Sequence, residues 1–306
     1  MQLADIGDIA QEAMIFEVSA TPKPGLVDRV SSGAHRDMDF FTFLTSAAAL
    51  RSSFETFARI GAERATEPVE NLLPFLQEAG IVAEQRMFAA THGVNTHKGM
   101  IFSLGLLAGA AGWASRRAEG LRAEHLCALV ASMCHGLTDA AYRHVADKPA
   151  ARRTKGEAMF LRYGVTGVRG EAESGFLTVR QHGLPVYRRR RREGASVNDV
   201  LCDTLLHLVA VDMDTNILGR HGMEALRYAQ AAAKSVLRLG GMRTPAGRHA
   251  LEALDEDFIA RWISPGGSAD LIAVTHFLYE VECRAAGEGG AAGQAESPCM
   301  TVALSC

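Results

Sequence analysis

Apolar residues recur at three- and four-residue steps along nearly the whole chain, and sustained two-residue alternation is missing. Leu3, Ile6, Ile9, Ala13 and Met14 set the pattern. Phe43, Leu44, Ala47, Ala48, Leu50, Phe54 and Phe57 repeat it. That period puts apolar side chains on one face of a helix, whereas a half-buried strand needs a period of two. The spacing predicts helices over 3–19, 40–65, 69–90, 98–117, 122–135, 136–146, 153–162, 197–215, 222–239, 245–260 and 269–285. Only "GFLTVRQHG" (175–183) has room for a short extended piece. A run of helices without strands is an all-α architecture. A single multi-helix globular domain is expected over 1–285, with one cleft formed by loops at helix ends. The Gly- and Ala-rich residues 286–306 have no periodicity and read as a frayed tail. No repeat at solenoid spacing is present.

Composition narrows the setting. The chain has 306 residues, 48% hydrophobic and 22% charged, which is ample for a buried core. A net charge of −3 gives no reason to expect nucleic acid or an anionic membrane as the main partner. The stretch after Met1 is amphipathic and carries acids, unlike a signal peptide. The most apolar run, residues 100–114, is shorter than the ~20 residues a membrane-spanning helix needs, so a core helix is expected there. Six cysteines form neither a CxxC pair nor a zinc spacing. The first four sit in apolar helical contexts, as free thiols in a reducing cytoplasm do. Arg188 to Arg192 form a basic run that reads as a solvated surface element, with an anionic ligand or partner contact as the alternative.

Five polar islands interrupt the helical pattern, each combining glycine with charge. The first, "PKPGLVDRVSSGAHRDMD" (22–39), is stiffened by Pro22 and Pro24 and punctuated by Gly25 and Gly33. It holds Lys23, Asp28, His35, Asp37 and Asp39, and Glu17 at the end of the preceding helix is placed to share their space. Asp39 alone is explained by capping the helix at Phe40, but one cap does not need three acids and a histidine. The second, "GVNTHKGMIFSLG" (93–105), offers Asn95 or Thr96 as a cap, with His97 and Lys98 beside the free N–H groups of a helix start, an anion site in outline. It is not a Walker A loop, because the GxxxxGK[ST] spacing is missing. The third, "YGVTGVRGEAESGF" (163–176), sets Arg169 and Glu171 among glycines, suited to close approach of a phosphate or to a surface turn with a salt bridge. In the fourth, "VDMDTNILGRHG" (211–222), Asp212 and Asn216 are expected to share a helix face, with Asp214 and Arg220 nearby. Clustered acids there need pairing or a cation, and hard oxygen ligands suit Mg²⁺. The fifth, "ISPGGSADLIAVTHFL" (263–278), feeds a helix through Pro265, Gly266 and Gly267, with Ser268 as cap and Asp270 in the first turn. An acid at a phosphate-suited helix start is consistent only with a bridging metal or with simple capping.

Taken together, "PKPGLVD…GAHRDMD", "GVNTHKGMIFSLG", "YGVTGVRGEA..GF", "DTNIL.R.G" and "SPGGSADLIA.T.FL" resemble the triphosphoribosyl-dephospho-coenzyme A synthase family, in order from about residue 12 to 281. "SSGAH", "GRHG" and the arginine run depart from the family pattern without removing an acid or a phosphate-type contact. The resemblance implies ATP and 3′-dephospho-CoA as substrates. It also implies release of adenine, and a product that primes the acyl carrier protein of malonate decarboxylase or citrate lyase through a downstream transferase.

Such a reaction builds oxocarbenium character at C1″ of the ribose and negative charge on adenine. Asp28 and Asp37 are then the candidates for cation stabiliser and general base, with His35 as orienter or donor to the leaving base. Asp214 and Asp270 are the candidate Mg²⁺ ligands. Lys23, Asn95, His97, Lys98, Arg169, Glu171, Arg220 and Ser268 are the candidate nucleotide-binding residues. Two rivals are a Mg-dependent all-α ADP-ribosyl or nucleotide glycohydrolase, in which water attacks C1″, and a non-catalytic nucleotide-binding module.

Overall fold

The computed structural model describes residues 1–289, and among these it contains helices and no strand. The thirteen α-helices are α1 (Leu3–Ser19), α2 (Phe40–Glu63), α3 (Leu73–Ala90), α4 (Lys98–Arg116), α5 (Ala123–Met133), α6 (Leu137–Tyr142), α7 (Lys155–Tyr163), α8 (Gly167–Glu173), α9 (Leu184–Arg192), α10 (Val197–Val209), α11 (Thr215–Arg238), α12 (Pro245–Ala260) and α13 (Gly266–Gly289). The all-α expectation is met. The last helix extends past residue 285 to Gly289, and the rest of the expected tail lies outside the described residues.

The centre of the fold is α4, buried on every side from Met100 to Ala114 apart from Phe102. A helix apolar all round belongs inside a protein, and here α2, α1, α13 and α3 surround it. Phe54 and Phe57 of α2, Ile6, Ile9 and Met14 of α1, and Ile272 and Phe277 of α13 share this core. Each such side chain contributes about 1.5–3 kcal/mol when fully buried. Small residues let α2 and α4 approach closely. A Cβ on Gly112 would lie 1.9 Å from the Ala58 carbonyl oxygen, and one on Gly61 1.9 Å from that of Gly109. Gly112→Ala is therefore expected to lower stability by about 1–3 kcal/mol or more through forced separation of the two backbones. Gly80→Ala, in α3 with open space around the added methyl, should instead gain about 0.5–1 kcal/mol. Thermal unfolding of both variants checks the pair; equal effects would mean that the α2–α4 contact is slack.

Four local expectations change. The helix expected over 69–90 is a 3₁₀ turn, Val69–Asn71, followed by α3 with Pro74 in its first turn. The segment 175–183 is not extended: Val179–Gly183 forms a π turn that runs into α9. The glycine-rich third island contains α8. The helix expected over 197–215 ends at Val209, because the Asp214 carboxylate accepts from the Asn216 and Ile217 N–H groups and starts α11 instead. Asp212 thus lies in a loop and shares no helix face with Asn216.

The basic run is only partly a solvated surface. Arg190 is buried, with its Nε 2.8 Å from Asp203, and Arg188 pairs with Glu124 and Glu282 at 2.8 and 2.5 Å. Cys127, Cys134 and Cys202 are buried free thiols, each pushed up to about 12 by burial. No helix among the described residues is long and apolar enough to cross a membrane.

Candidate active site

The start of α13 is where the islands meet. Ser268 of the fifth island donates its N–H to Asp214 Oδ2 at 2.9 Å and its hydroxyl to Asp212 Oδ2 at 3.1 Å. Asp214 Oδ1 accepts from Asn216 and Ile217 at 2.8 and 3.2 Å, so this buried carboxylate caps α11 and ties it to α13. The Ser264 hydroxyl lies 2.9 Å from His35 Nε2, which joins the first island to the fifth. Gly25, at φ 68°, presses on the carbonyl of Ile263, where any Cβ would fall 1.9 Å from the oxygen. Only glycine tolerates both that dihedral and that approach. The second island arrives through Gly99, whose missing side chain leaves room for the Asp270 carboxylate; an added Cβ would sit 1.9 Å from Oδ2. The third arrives through Gly167, against Thr215, and through Glu171, whose charge acts on Asp212.

Five acids are gathered in this way, and their electrostatics are unfavourable to one another. Burial raises Asp270, and the negative charges of Glu17, Asp214 and Asp212 add to it. Burial also raises Asp212, reinforced by Asp214 and Glu171. Asp214 and Glu171 are raised by burial against the hydrogen bonds they accept. Glu17 is raised by burial although Lys23 pairs with it, and its Oε2 is buried without a hydrogen-bond partner. Asp270 accepts no hydrogen bond among the described residues. Like charges held together with unsatisfied oxygens are stabilised by a cation with oxygen-seeking coordination. Asp270 and Asp212 are acids here not committed to capping a helix, but among the described residues no three of these acids bring ligand atoms within 4.8 Å of one another. Asp214 is already committed to protein N–H groups and would add charge more than a free ligand atom.

The other expected site residues divide into two groups. His35, Asp37 and Arg220 line an opening of about 420 Å³ beside Ser264, with Asp37 well exposed and 3.9 Å from His35 Nδ1. The His35 pKa is lowered by burial and then by Arg220, with Asp37 opposing. Arg169, on α8, is half-buried over Tyr142 at 6.0 Å and has no carboxylate partner among the described residues. The second group is engaged structurally. Asp28 is buried and accepts N–H groups from Val30 and Ser31 at 2.7 and 3.0 Å and from Lys23 at 3.3 Å, so it organises the loop that carries it. Lys23 is buried against Glu17. His97 is buried with Nδ1 2.7 Å from Ser46 Oγ and its Nε2 unpartnered; burial and Lys23 push it down to about 3. Asn95 accepts the Lys98 N–H at 3.2 Å, and the Lys98 ammonium pairs with Glu84 on the surface at 2.7 Å. Asp39 is the N-cap of α2.

Asp212, Arg36, Ser264 and Trp262 also belong to this region. The signal for Asp212 was its place two residues from Asp214; nothing in "RWIS" singles out Trp262. A separate trio, Glu12, His276 and Glu280, brings ligand atoms within 4.8 Å of one another. Arg284 already supplies the positive charge there, 2.5 Å from Glu12, and Tyr187 holds His276 Nδ1 at 2.7 Å, so that trio is an ion-pair network fastening α1 to α13.

An all-helical frame thus gathers several acids near the start of α13, beside an opening lined by Arg36 and Arg220. The chain belongs to the ATP:dephospho-CoA triphosphoribosyl transferase (CitG) family, whose description matches residues 3–288. It is 44% identical over 276 residues to the probable 2-(5''-triphosphoribosyl)-3'-dephosphocoenzyme-A synthase of Photobacterium profundum, covering 90% of this chain and 87% of the relative. The 2-(5''-triphosphoribosyl)-3'-dephosphocoenzyme-A synthase of Pectobacterium atrosepticum is 45% identical over 277 residues, with 90% and 89% covered. That of Klebsiella pneumoniae is 43% identical over 274 residues, with 90% of each chain covered. No solved structure matches the chain.

Proposed function

We propose that this chain transfers the triphosphoribosyl group of ATP to the 2′-hydroxyl of 3′-dephospho-CoA and releases adenine. The observation that carries the reading is the family match over residues 3–288, supported by Asp212 and Asp214 both bonding Ser268 at the start of α13. In the step itself the acceptor oxygen bonds to C1″ as the C1″–N9 bond breaks. Adenine departs with the electron pair, and the proton lost by the hydroxyl is balanced by one gained on the base.

Asp37, with His35 beside it, takes the hydroxyl proton; both face open space next to the acids. Asp28 supports that loop through its three backbone contacts and acts on the reaction only through position. Asp270 and Asp212, with Asp214 behind them, would hold Mg²⁺, which when bound shields the triphosphate charge. Arg169 holds phosphate oxygens of the triphosphate. The product is the prosthetic-group precursor of an acyl carrier protein, of malonate decarboxylase or citrate lyase, and three buried free thiols are compatible with work in the cytoplasm.

The test is to incubate the protein with ATP, MgCl₂ and dephospho-CoA and to separate the nucleotides by mass. Adenine and one joined nucleotide in equal amounts are expected. Free ribosyl triphosphate with adenine would make it a glycohydrolase, and intact ATP under all conditions would leave a binding module.

A further inference from the structure

The opening beside the acid cluster has a chemistry of its own. Its lining is Ala34, His35, Arg36, Asp37, Arg220 and Trp262. Neither guanidinium has a carboxylate partner among the described residues, and both line one opening with a single acid, Asp37. Trp262 is 40% exposed at φ 59°, a left-handed backbone that a bulky residue adopts only when its surroundings impose it. The surroundings are visible: His221 Nε2 lies 2.7 Å from the Trp262 carbonyl oxygen, and the next N–H, of Ile263, closes on Phe258 at 2.9 Å. An indole is thereby held out at the surface, with the Arg36 guanidinium 4.7 Å from its ring centroid.

We propose that this opening is the acceptor subsite, taking the adenosine 5′-diphosphate half of dephospho-CoA; the assignment rests on the transfer reading above. The adenine stacks on Trp262, and Arg36 and Arg220 meet the two phosphates, a purine plane and a fork-shaped cation being the partners such groups select. ATP, with its longer phosphate chain and its need for a cation, belongs on the acids. The two sites are in reach of one another. His35 bonds Ser264, and Ser264 and Ser268 are four positions apart, so these two serines lie at most about 14 Å from one another. Asp37 lines the same opening as Trp262, so a nucleotide seated there has that carboxylate within its own site.

Three variants test this: Trp262→Leu, Arg36→Gln and Arg220→Gln, each first shown to melt within a few degrees of wild type. The KM for dephospho-CoA should rise about 5- to 150-fold in Trp262→Leu, the factor carried by one lost base stack. The KM for ATP should stay within about twofold, and Trp262→Phe should restore most of the loss. Calorimetric titration with dephospho-CoA or ADP in magnesium-free buffer gives a readout independent of turnover. Binding by wild type that is weakened in the variants supports the subsite even if no adenine is ever released, in which case only the transfer reading fails. A KM effect on ATP instead, or equal binding by wild type and all three variants, overturns the proposal. So does wild type that binds neither probe at millimolar concentration.

Discussion

The Asp270→Asn protein is expected to release adenine about 10²–10³-fold more slowly than wild type while melting at a higher temperature. The two effects have opposite signs for one reason. Asp270 accepts no hydrogen bond among the described residues, and burial and the charges of Glu17, Asp214 and Asp212 raise its pKa. Replacing it with the neutral amide removes repulsion and so stabilises the apo-protein. It also removes negative charge from the proposed cation site, where several kcal/mol of transition-state stabilisation are at stake. A residue kept for structure would behave otherwise, losing stability with turnover intact in the folded fraction.

The same acids set a pH dependence. Carboxyls with folded pKa values above their unfolded ones bind more protons when folded, so their contribution is complete below about pH 4 and is lost as pH rises through the raised values. Magnesium should therefore raise the melting temperature more at pH 8 than at pH 5, where protons compete for the same oxygens. A magnesium effect of equal size at both pH values, or turnover of Asp270→Asn at the wild-type rate, would count against the site.

Lys23→Met should produce the largest loss of stability. Lys23 and Glu17 form a pair with both side chains almost wholly buried. Removing the cation leaves Glu17 charged in the interior with one oxygen already lacking a partner, a change that costs about 3–5 kcal/mol. In a protein of this size that is on the order of 10 °C in melting temperature. Adding Glu17→Gln should recover part of it, because the stranded charge disappears. Were Lys23 instead a contact to ATP, the single variant would keep its melting temperature and show a raised KM for ATP.

Lys23 shows where sequence reasoning succeeds and where it stops. Its island was recognisable as functional ground because glycine, proline and charge together have no reason to interrupt an apolar helical pattern. Asp39, followed by Phe40 and Phe41, was legible as a cap, and α4 as a core helix. Side-chain roles within the island were not, because they depend on neighbours distant in sequence. Asp28 reads as a free acid until its loop folds back and three N–H groups close on it. The break between α10 and α11 was hidden because Val209, Ala210, Val211 and Met213 continue the apolar run through the loop. The π turn at Val179–Gly183 was hidden because valine and threonine mimic a strand. Arg190 reads as solvated beside four other arginines, yet the turn of α9 aims it at buried Asp203, thirteen residues on.

The helix that completes the proposed site is also the last among the described residues to be made. Until α13 leaves the ribosome, Asp214 lacks the Ser268 N–H, Asp270 does not exist, and His35 has no Ser264 to hold it. A nascent chain stalled after α12 thus carries most of the core and none of the assembled acid cluster. On the proposed assignment such a chain is expected to release no adenine from ATP, so activity would arrive only with the final helix described, α13.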